Sequence, residues 1–235
     1  MKPFRLRLIT NLHCNNNCYF CYQKDKRKLI LSVDNAKKII DKLQLLQRCT
    51  IMGGESTLLN NLHEYIELAK RKCSIVCLVT NGRLLTYDSV KCYAQAGLDE
   101  IAISISSIEN YEHLKEQIKI VHEILPNSRV NLPKSYETTG DKLYFLIDRI
   151  LTDGFGVVVC EDLMGRYGTF DFEKNMGAVK VTEDYNFYTY KYKNYIFGLF
   201  AHWMGYNNTD VIVTPVGNFN NWDRYCEKIG NYDLC

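Results

Sequence analysis

Eleven residues near the start of the chain, 11–21, read NLHCNNNCYFC and hold Cys14, Cys18 and Cys21. Three thiolates this close together are typical of a loop that binds an iron–sulfur cluster. A four-iron cluster normally takes four cysteines, so a loop with three leaves one iron open to a small molecule. His13 stands beside the first cysteine, so a zinc site with Cys and His ligands is an open alternative.

The C-x3-C-x2-C spacing, with Phe20 just before the last cysteine, resembles the signature of the radical S-adenosylmethionine (radical SAM) enzymes. The resemblance implies that Cys14, Cys18 and Cys21 hold one [4Fe-4S] cluster and that SAM chelates the open iron. It also implies reductive cleavage of SAM to a 5'-deoxyadenosyl radical. The electron would come from a donor such as flavodoxin or ferredoxin, and Phe20 would lie near the adenine.

The composition of the chain predicts one globular domain, because 235 residues with 46% hydrophobic residues suffice for a sizeable core. The net charge of +2 gives no overall electrostatic argument for a nucleic-acid partner. Residues 1–48 carry eleven Lys and Arg against three Asp and Glu, including the run Lys24–Lys28. We expect that run to form a solvated face.

Ten cysteines would suggest disulfides in a small secreted protein, but we expect reduced thiols because no secretion signal is evident. The start, MKPFR, shows no apolar signal-peptide core, and no segment approaches 18 uninterrupted apolar residues. We therefore expect a cytoplasmic protein with no membrane partner. Five cysteines in or beside apolar runs are predicted to be small buried hydrophobic residues: Cys49, Cys73, Cys77, Cys92 and Cys160.

Strand-like and helix-like segments alternate through the first two thirds of the chain. Apolar spacing from Ala36 to Leu46 predicts the first helix. Such alternation predicts parallel strands joined by crossover helices. The fold class is α/β and resembles the partial (βα)6 TIM-like barrel of radical SAM enzymes, whose chemistry lies at the carboxyl ends of the strands. The strand-like runs are 4–10, 49–52, 75–80, 100–106, 129–132 and 156–160.

The tail, residues 161–235, breaks this alternation and is rich in aromatic residues. We expect residues 1–160 to form the barrel core and the tail to be a β-rich extension that packs on the same domain. A hairpin around Pro215 is expected to close the open side of the barrel. Four aromatic residues are candidates to line its mouth, the alternative being that they plug the open edge or pack on outer helices: Trp203, Tyr206, Phe219 and Trp222.

The motif Gly53-Gly54-Glu55 follows the second predicted strand. Two glycines permit close backbone approach, and a carboxylate suits an ammonium group. The resemblance implies that this motif meets the SAM amino group. It likewise places Asn81, in Thr80-Asn81-Gly82, near the SAM ribose or methionyl end, although Asn-Gly is also a hairpin signal.

Further polar side chains lie on the fourth and fifth predicted strands. Ser104 and Ser106 share one strand face, and Asn131 follows on the next strand. The resemblance implies contacts between these residues and SAM. A hydroxyl or amide satisfied by the backbone is the alternative for each.

The sequence as a whole predicts a radical SAM enzyme that abstracts a hydrogen atom from an unidentified small molecule, nucleotide or peptide. Its pattern most resembles the molybdopterin-cyclase-like and peptide-modifying group. Only Cys226 and Cys235 follow Cys160, so one cluster is expected. The alternatives are a glycyl-radical-activase-like protein modifier and a non-enzymatic module that binds zinc or a cluster.

Overall fold

A computed structural model describes residues 5–21, 23, 26–133, 135, 138–160, 171–184, 187–200 and 210–219. Strands and helices alternate as far as β6 and give way to strands in the tail. In chain order they are β1 (Arg5–Ile9), α1 (Val33–Ile40), β2 (Leu46–Met52), a 3-10 turn (Ser56–Leu58), α2 (Leu62–Lys70), β3 (Cys73–Thr80), α3 (Tyr87–Gln95), β4 (Glu100–Ser104), α4 (Ile108–Ile124), β5 (Arg129–Pro133), α5 (Gly140–Thr152), β6 (Gly156–Cys160), α6 (Phe172–Met176), β7 (Val179–Asp184), β8 (Phe187–Tyr192), β9 (Tyr195–Phe200), β10 (Asp210–Thr214) and β11 (Gly217–Phe219).

The described strands form one sheet in the order β11-β10-β1-β2-β3-β4-β5-β6-β9-β8-β7. Strands β1 to β6 are parallel neighbours in chain order, so the predicted partial barrel is confirmed and its sheet is not closed. Alternate residues, such as Ile101 and Ile103 on β4, join the core between sheet and helices. None of the described helices has the length and apolar composition needed to cross a bilayer.

Two predictions about the barrel core are wrong. The first helix ends at Ile40, and Leu46 begins β2 instead. The ammonium of Lys72 donates hydrogen bonds to the carbonyl oxygens of Asp41 (3.2 Å) and Leu43 (3.0 Å), which stabilises the turn that ends the helix. Cys92 is exposed on α3, whereas the other four cysteines predicted to be buried are buried.

The tail extends both edges of the sheet, so in the described residues it does not close the barrel as expected. The β10–β11 hairpin turns at Pro215 and pairs with β1, while the meander β7–β9 pairs with β6. Phe219 is half-buried on β11 and does not line the cleft described below. Trp203, Tyr206 and Trp222 lie outside the described residues.

Aromatic residues of the tail pack on the helix side of the sheet. Tyr190 and Phe197 stack with ring centroids 5.5 Å apart, and Phe172 of α6 meets each ring edge-on at 5.1 Å. All three belong to the same hydrophobic core as the barrel helices. This cluster therefore joins α6 and the meander to the barrel.

Phe172→Ala should destabilise the protein by about 3–5 kcal/mol, because it leaves a cavity beside the buried rings of Tyr190 and Phe197. Phe145→Ala is the matched control, since that ring is 57% exposed on α5 and should cost less than about 0.5 kcal/mol. Urea unfolding followed by circular dichroism measures both changes. Equal losses in the two variants would contradict the joining role of Phe172.

Candidate functional site

An open cleft lies at the carboxyl ends of the parallel strands. It encloses about 770 Å³, a volume that includes the solvent at its open mouth. The cleft brings together all the predicted site residues except Asn131. Its lining is Cys14, Asn16, Cys18, Phe20, Cys21, Lys26, Met52, Gly53, Gly54, Glu55, Val79, Thr80, Asn81, Ser104, Ser106, Asn110 and Pro133.

The cysteine loop supplies one wall of the cleft. Cys14, Cys18 and Cys21 are half-buried free thiols. The Cys21 backbone N–H donates to the Cys18 carbonyl oxygen at 3.1 Å, which curls the loop. The Asn16 N–H donates to Cys14 Sγ at 3.3 Å, and the Lys26 ammonium donates to Cys21 Sγ at 3.3 Å. The three cysteines and the two donors to their sulfur atoms thus all line the cleft.

Burial opposes ionisation of two of these thiols. Desolvation raises the pKa of Cys14 and of Cys18, and the neighbouring thiolates raise the pKa of Cys18 further. The positive charge of Lys26 acts in the opposite direction on both. Since iron binds thiolates, loading of this loop would release protons, and Lys26 would favour the ligating form.

The loop is held against the end of β2 by backbone contacts. The Gly54 N–H donates to the Asn11 carbonyl oxygen, and the Glu55 N–H donates to the His13 carbonyl oxygen, each at 2.8 Å. A Cβ on Gly53 would lie 2.6 Å from Asn11 Oδ1, and a Cβ on Gly54 would collide with the backbone of His13. The glycines therefore allow an approach that no larger residue permits.

Glu55 is 3% exposed, and its carboxylate accepts four hydrogen bonds. The N–H and hydroxyl of Thr57 donate at 3.2 and 2.7 Å, the Thr80 hydroxyl at 2.7 Å and the Asn81 N–H at 2.8 Å. Glu55 thus ties the end of β2 to the end of β3. The Asn81 side-chain amide donates to Asn15 Oδ1 at 2.8 Å, which links the same corner to the cysteine loop.

The predicted serines lie opposite the loop. Ser104 and Ser106 line the cleft, and the Ser106 N–H donates to Asn110 Oδ1 at 3.1 Å. Asn131 pairs in register with Ser104 but is buried beneath the lining. Its Oδ1 has no hydrogen-bond partner in the part of the chain that the structure describes. Asn131 is therefore next to the cleft and not in its wall.

Lys26 and Asn110 are cleft residues that the sequence did not single out. Lys26 belongs to the basic run expected to be a solvated face, yet it is half-buried beside Cys21. Asn110 donates its backbone N–H to the helix-capping Ser107 Oγ at 3.1 Å. Ser107, the N-cap directly before α4, was a usable signal for the position of Asn110 in the first turn of that helix.

The three thiols of the cysteine loop are a donor set of the kind that holds an iron–sulfur cluster. Among the described residues, no three His, Cys, Asp or Glu side chains are arranged to ligate one metal ion. A four-iron cube spaces its thiolates more widely than one ion does, and three free thiols share one wall here. Cys14, Cys18 and Cys21 are thus suitable ligands for three irons.

Residues 8–130, more than half of the chain, match the sequence model of the Radical SAM superfamily. The chain belongs to the radical SAM superfamily. This confirms the resemblance found in the cysteine loop. The superfamily consists of enzymes, and its members use an iron–sulfur cluster and SAM.

Curated relatives match about half of the chain or less. A probable GTP 3',8-cyclase of Methanococcus maripaludis is 28% identical over 121 residues, 49% of this chain and 40% of that protein. An S-adenosylmethionine-dependent nucleotide dehydratase of Flammeovirga pacifica is 35% identical over 106 residues, 41% of this chain and 36% of that protein. This chain thus matches less than half the length of either relative.

Solved structures show the same fold. Streptococcus suis SuiB bound to the precursor peptide SuiA aligns with a TM-score of 0.57 at 15% identity, over 74% of this chain and 44% of that chain. Native anSMEcpe with bound AdoMet aligns with a TM-score of 0.56 at 14% identity, over 68% of this chain and 52% of that chain. At these identities the likeness concerns the fold alone.

Gly54→Ala should displace the cysteine loop, because the added methyl group meets the His13 backbone. We expect iron uptake after anaerobic reconstitution to fall at least about fivefold, consistent with strain of about 1 kcal/mol or more. Gly156→Ala is the control, since the atoms nearest to a Cβ added at Gly156 lie 3.6 Å from it. Full iron binding by Gly54→Ala would contradict the docking role.

The pH dependence of alkylation should reveal the raised pKa of the Cys14 and Cys18 thiols in the metal-free protein. Because burial raises the pKa of Cys14 and Cys18, less thiolate is present at a given pH and the rate should rise at higher pH than in urea-unfolded protein. Mass spectrometry of protein treated with iodoacetamide at about pH 7–10, a range that spans the ordinary pKa of a thiol, measures the pH midpoint of alkylation at each cysteine. Identical midpoints in folded and unfolded protein would contradict the expected shift.

Proposed function

We propose that this chain cleaves SAM reductively at one [4Fe-4S] cluster and abstracts a hydrogen atom from a substrate. One observation carries the proposal: three free thiols and the strand-end residues Gly53, Gly54 and Asn81 share one cleft. In this proposal Cys14, Cys18 and Cys21 bind three irons. The remaining iron would be the one that takes SAM.

When bound, the cofactors would supply the bond cleavage: one electron transferred to the SAM sulfonium would break its bond to C5' and give methionine and the 5'-deoxyadenosyl radical. The chain's own residues bind and orient SAM. Backbone carbonyls at Gly53 and Gly54 suit the ammonium, while hydroxyls of Ser104 and Ser106 suit ribose or carboxylate oxygens. Phe20 offers a ring for the adenine.

The substrate in this proposal is a nucleotide, another small molecule or a peptide. Relatives are described as acting on GTP or nucleotides, while a Bacillus subtilis relative is named for subtilosin biosynthesis and SuiB binds a precursor peptide. The described strands form an open sheet, and a chain-like substrate would need such an opening to reach the cleft. A protein substrate, as for a glycyl-radical activase, would need the same open access to the cleft.

Anaerobically reconstituted protein should hold about four irons per chain and give a reduced-cluster EPR signal that SAM shifts. With dithionite it should release 5'-deoxyadenosine, measured by chromatography. Cys14→Ala, Cys18→Ala and Cys21→Ala should each abolish release, because each removes an iron ligand. Cys92→Ala, an exposed thiol on α3, is the matched control.

Zinc in place of iron, or equal activity loss in the Cys92→Ala control, would contradict this function. Iron binding without SAM-dependent change in the EPR signal would favour a cluster-binding module that is not an enzyme. These readings do not depend on identifying the substrate.

A further inference from the structure

The chain that leaves the cysteine loop returns along the segment that enters it. The Leu12 N–H donates to the Leu29 carbonyl oxygen at 3.0 Å, and the Leu31 N–H donates to the Thr10 carbonyl oxygen at 2.8 Å. Asn11 and Ile30 form an antiparallel bridge between these bonds. The return segment is therefore fixed to the base of the loop, and this brings Lys26 to the thiols.

Lys26 is the only cation among the described residues that line the cleft. Its ammonium lies 3.3 Å from Cys21 Sγ, and its charge also acts on Cys14 and Cys18. Glu55, the only carboxylate of that lining, already accepts hydrogen bonds from Thr57, Thr80 and Asn81. Lys26 is thus placed beside the thiols, which become anionic when they bind iron.

We propose that Lys26 raises the reduction potential of the cluster held by the cysteine loop, an inference that rests on the proposed function. An added electron makes a thiolate-ligated cluster more negative. A half-buried ammonium within hydrogen-bond distance of one ligand sulfur stabilises that extra charge. Lys26 thereby favours the reduced state, in which one electron from an external donor has entered and no covalent bond has changed.

The chain offers a matched control two residues away. Lys28 carries the same charge but is exposed and does not line the cleft. Solvent screens such a charge from the cluster site. If the basic run as a whole set the reduction potential, neutral substitutions at Lys26 and at Lys28 would both change it. If contact with the ligand sulfur sets it, only substitutions at Lys26 change it.

The test uses wild-type protein, Lys26→Met, Lys26→Gln, Lys26→Arg and Lys28→Met, each reconstituted anaerobically without SAM. Iron content and the midpoint potential from an EPR-monitored redox titration are measured. We expect full iron in all variants. Lys26→Met and Lys26→Gln should lower the equilibrium constant for one-electron reduction about tenfold, or 59 mV, while Lys26→Arg and Lys28→Met stay near wild type.

Unchanged potentials in iron-loaded Lys26→Met and Lys26→Gln would overturn the inference. So would an equal shift in Lys28→Met, or loss of iron from both neutral variants, which would make Lys26 a requirement for cluster assembly. Unchanged potentials with weaker SAM binding in equilibrium dialysis would assign Lys26 to SAM instead. Wild-type protein that takes up no iron would refute the proposed function itself, a separate result.

Discussion

The close approach of Gly54 to His13 is the contact on which the site depends. The loop from Asn11 to His13 continues the pairing of β1 with β2 beyond both strands, through backbone bonds to Gly54 and Glu55. A side chain on Gly54 has no space there. Because the loop is fixed at its base, the three cysteines lie over the strand ends and not out in solvent.

Glu55 extends this constraint to the next strand. Its buried carboxylate joins Thr57, Thr80 and Asn81, so the ends of β2 and β3 form one corner. A buried carboxylate is stable only when its oxygens are satisfied, and here protein donors satisfy them. The hydrogen bonds of Glu55 therefore give it a structural role, which is to hold the ends of β2 and β3 together.

The sequence predicted the cleft well because parallel strands end at one edge of a sheet. Motifs that follow successive strands, such as Gly53-Gly54 and Asn81, must meet there. Lys26 was missed because a basic run predicts solvent, and only the backbone pairing of Leu29 and Leu31 brings it inward. Cys92 was misassigned because apolar spacing does not distinguish the outer face of a short helix. Whether Lys26 and Cys92 are buried or exposed depends on which segments pack together in the folded chain.

The tail completes the sheet at its edges. A six-stranded open sheet would leave β1 and β6 with unpaired backbone groups, which invite pairing with other chains. β10 and β9 cover these two edges. The new edges are protected in turn: β11 has three residues, and β7 has a register shift between Lys180 and Thr182. The described sheet thus stays open without offering long regular edges, and the strand ends remain free to form the cleft.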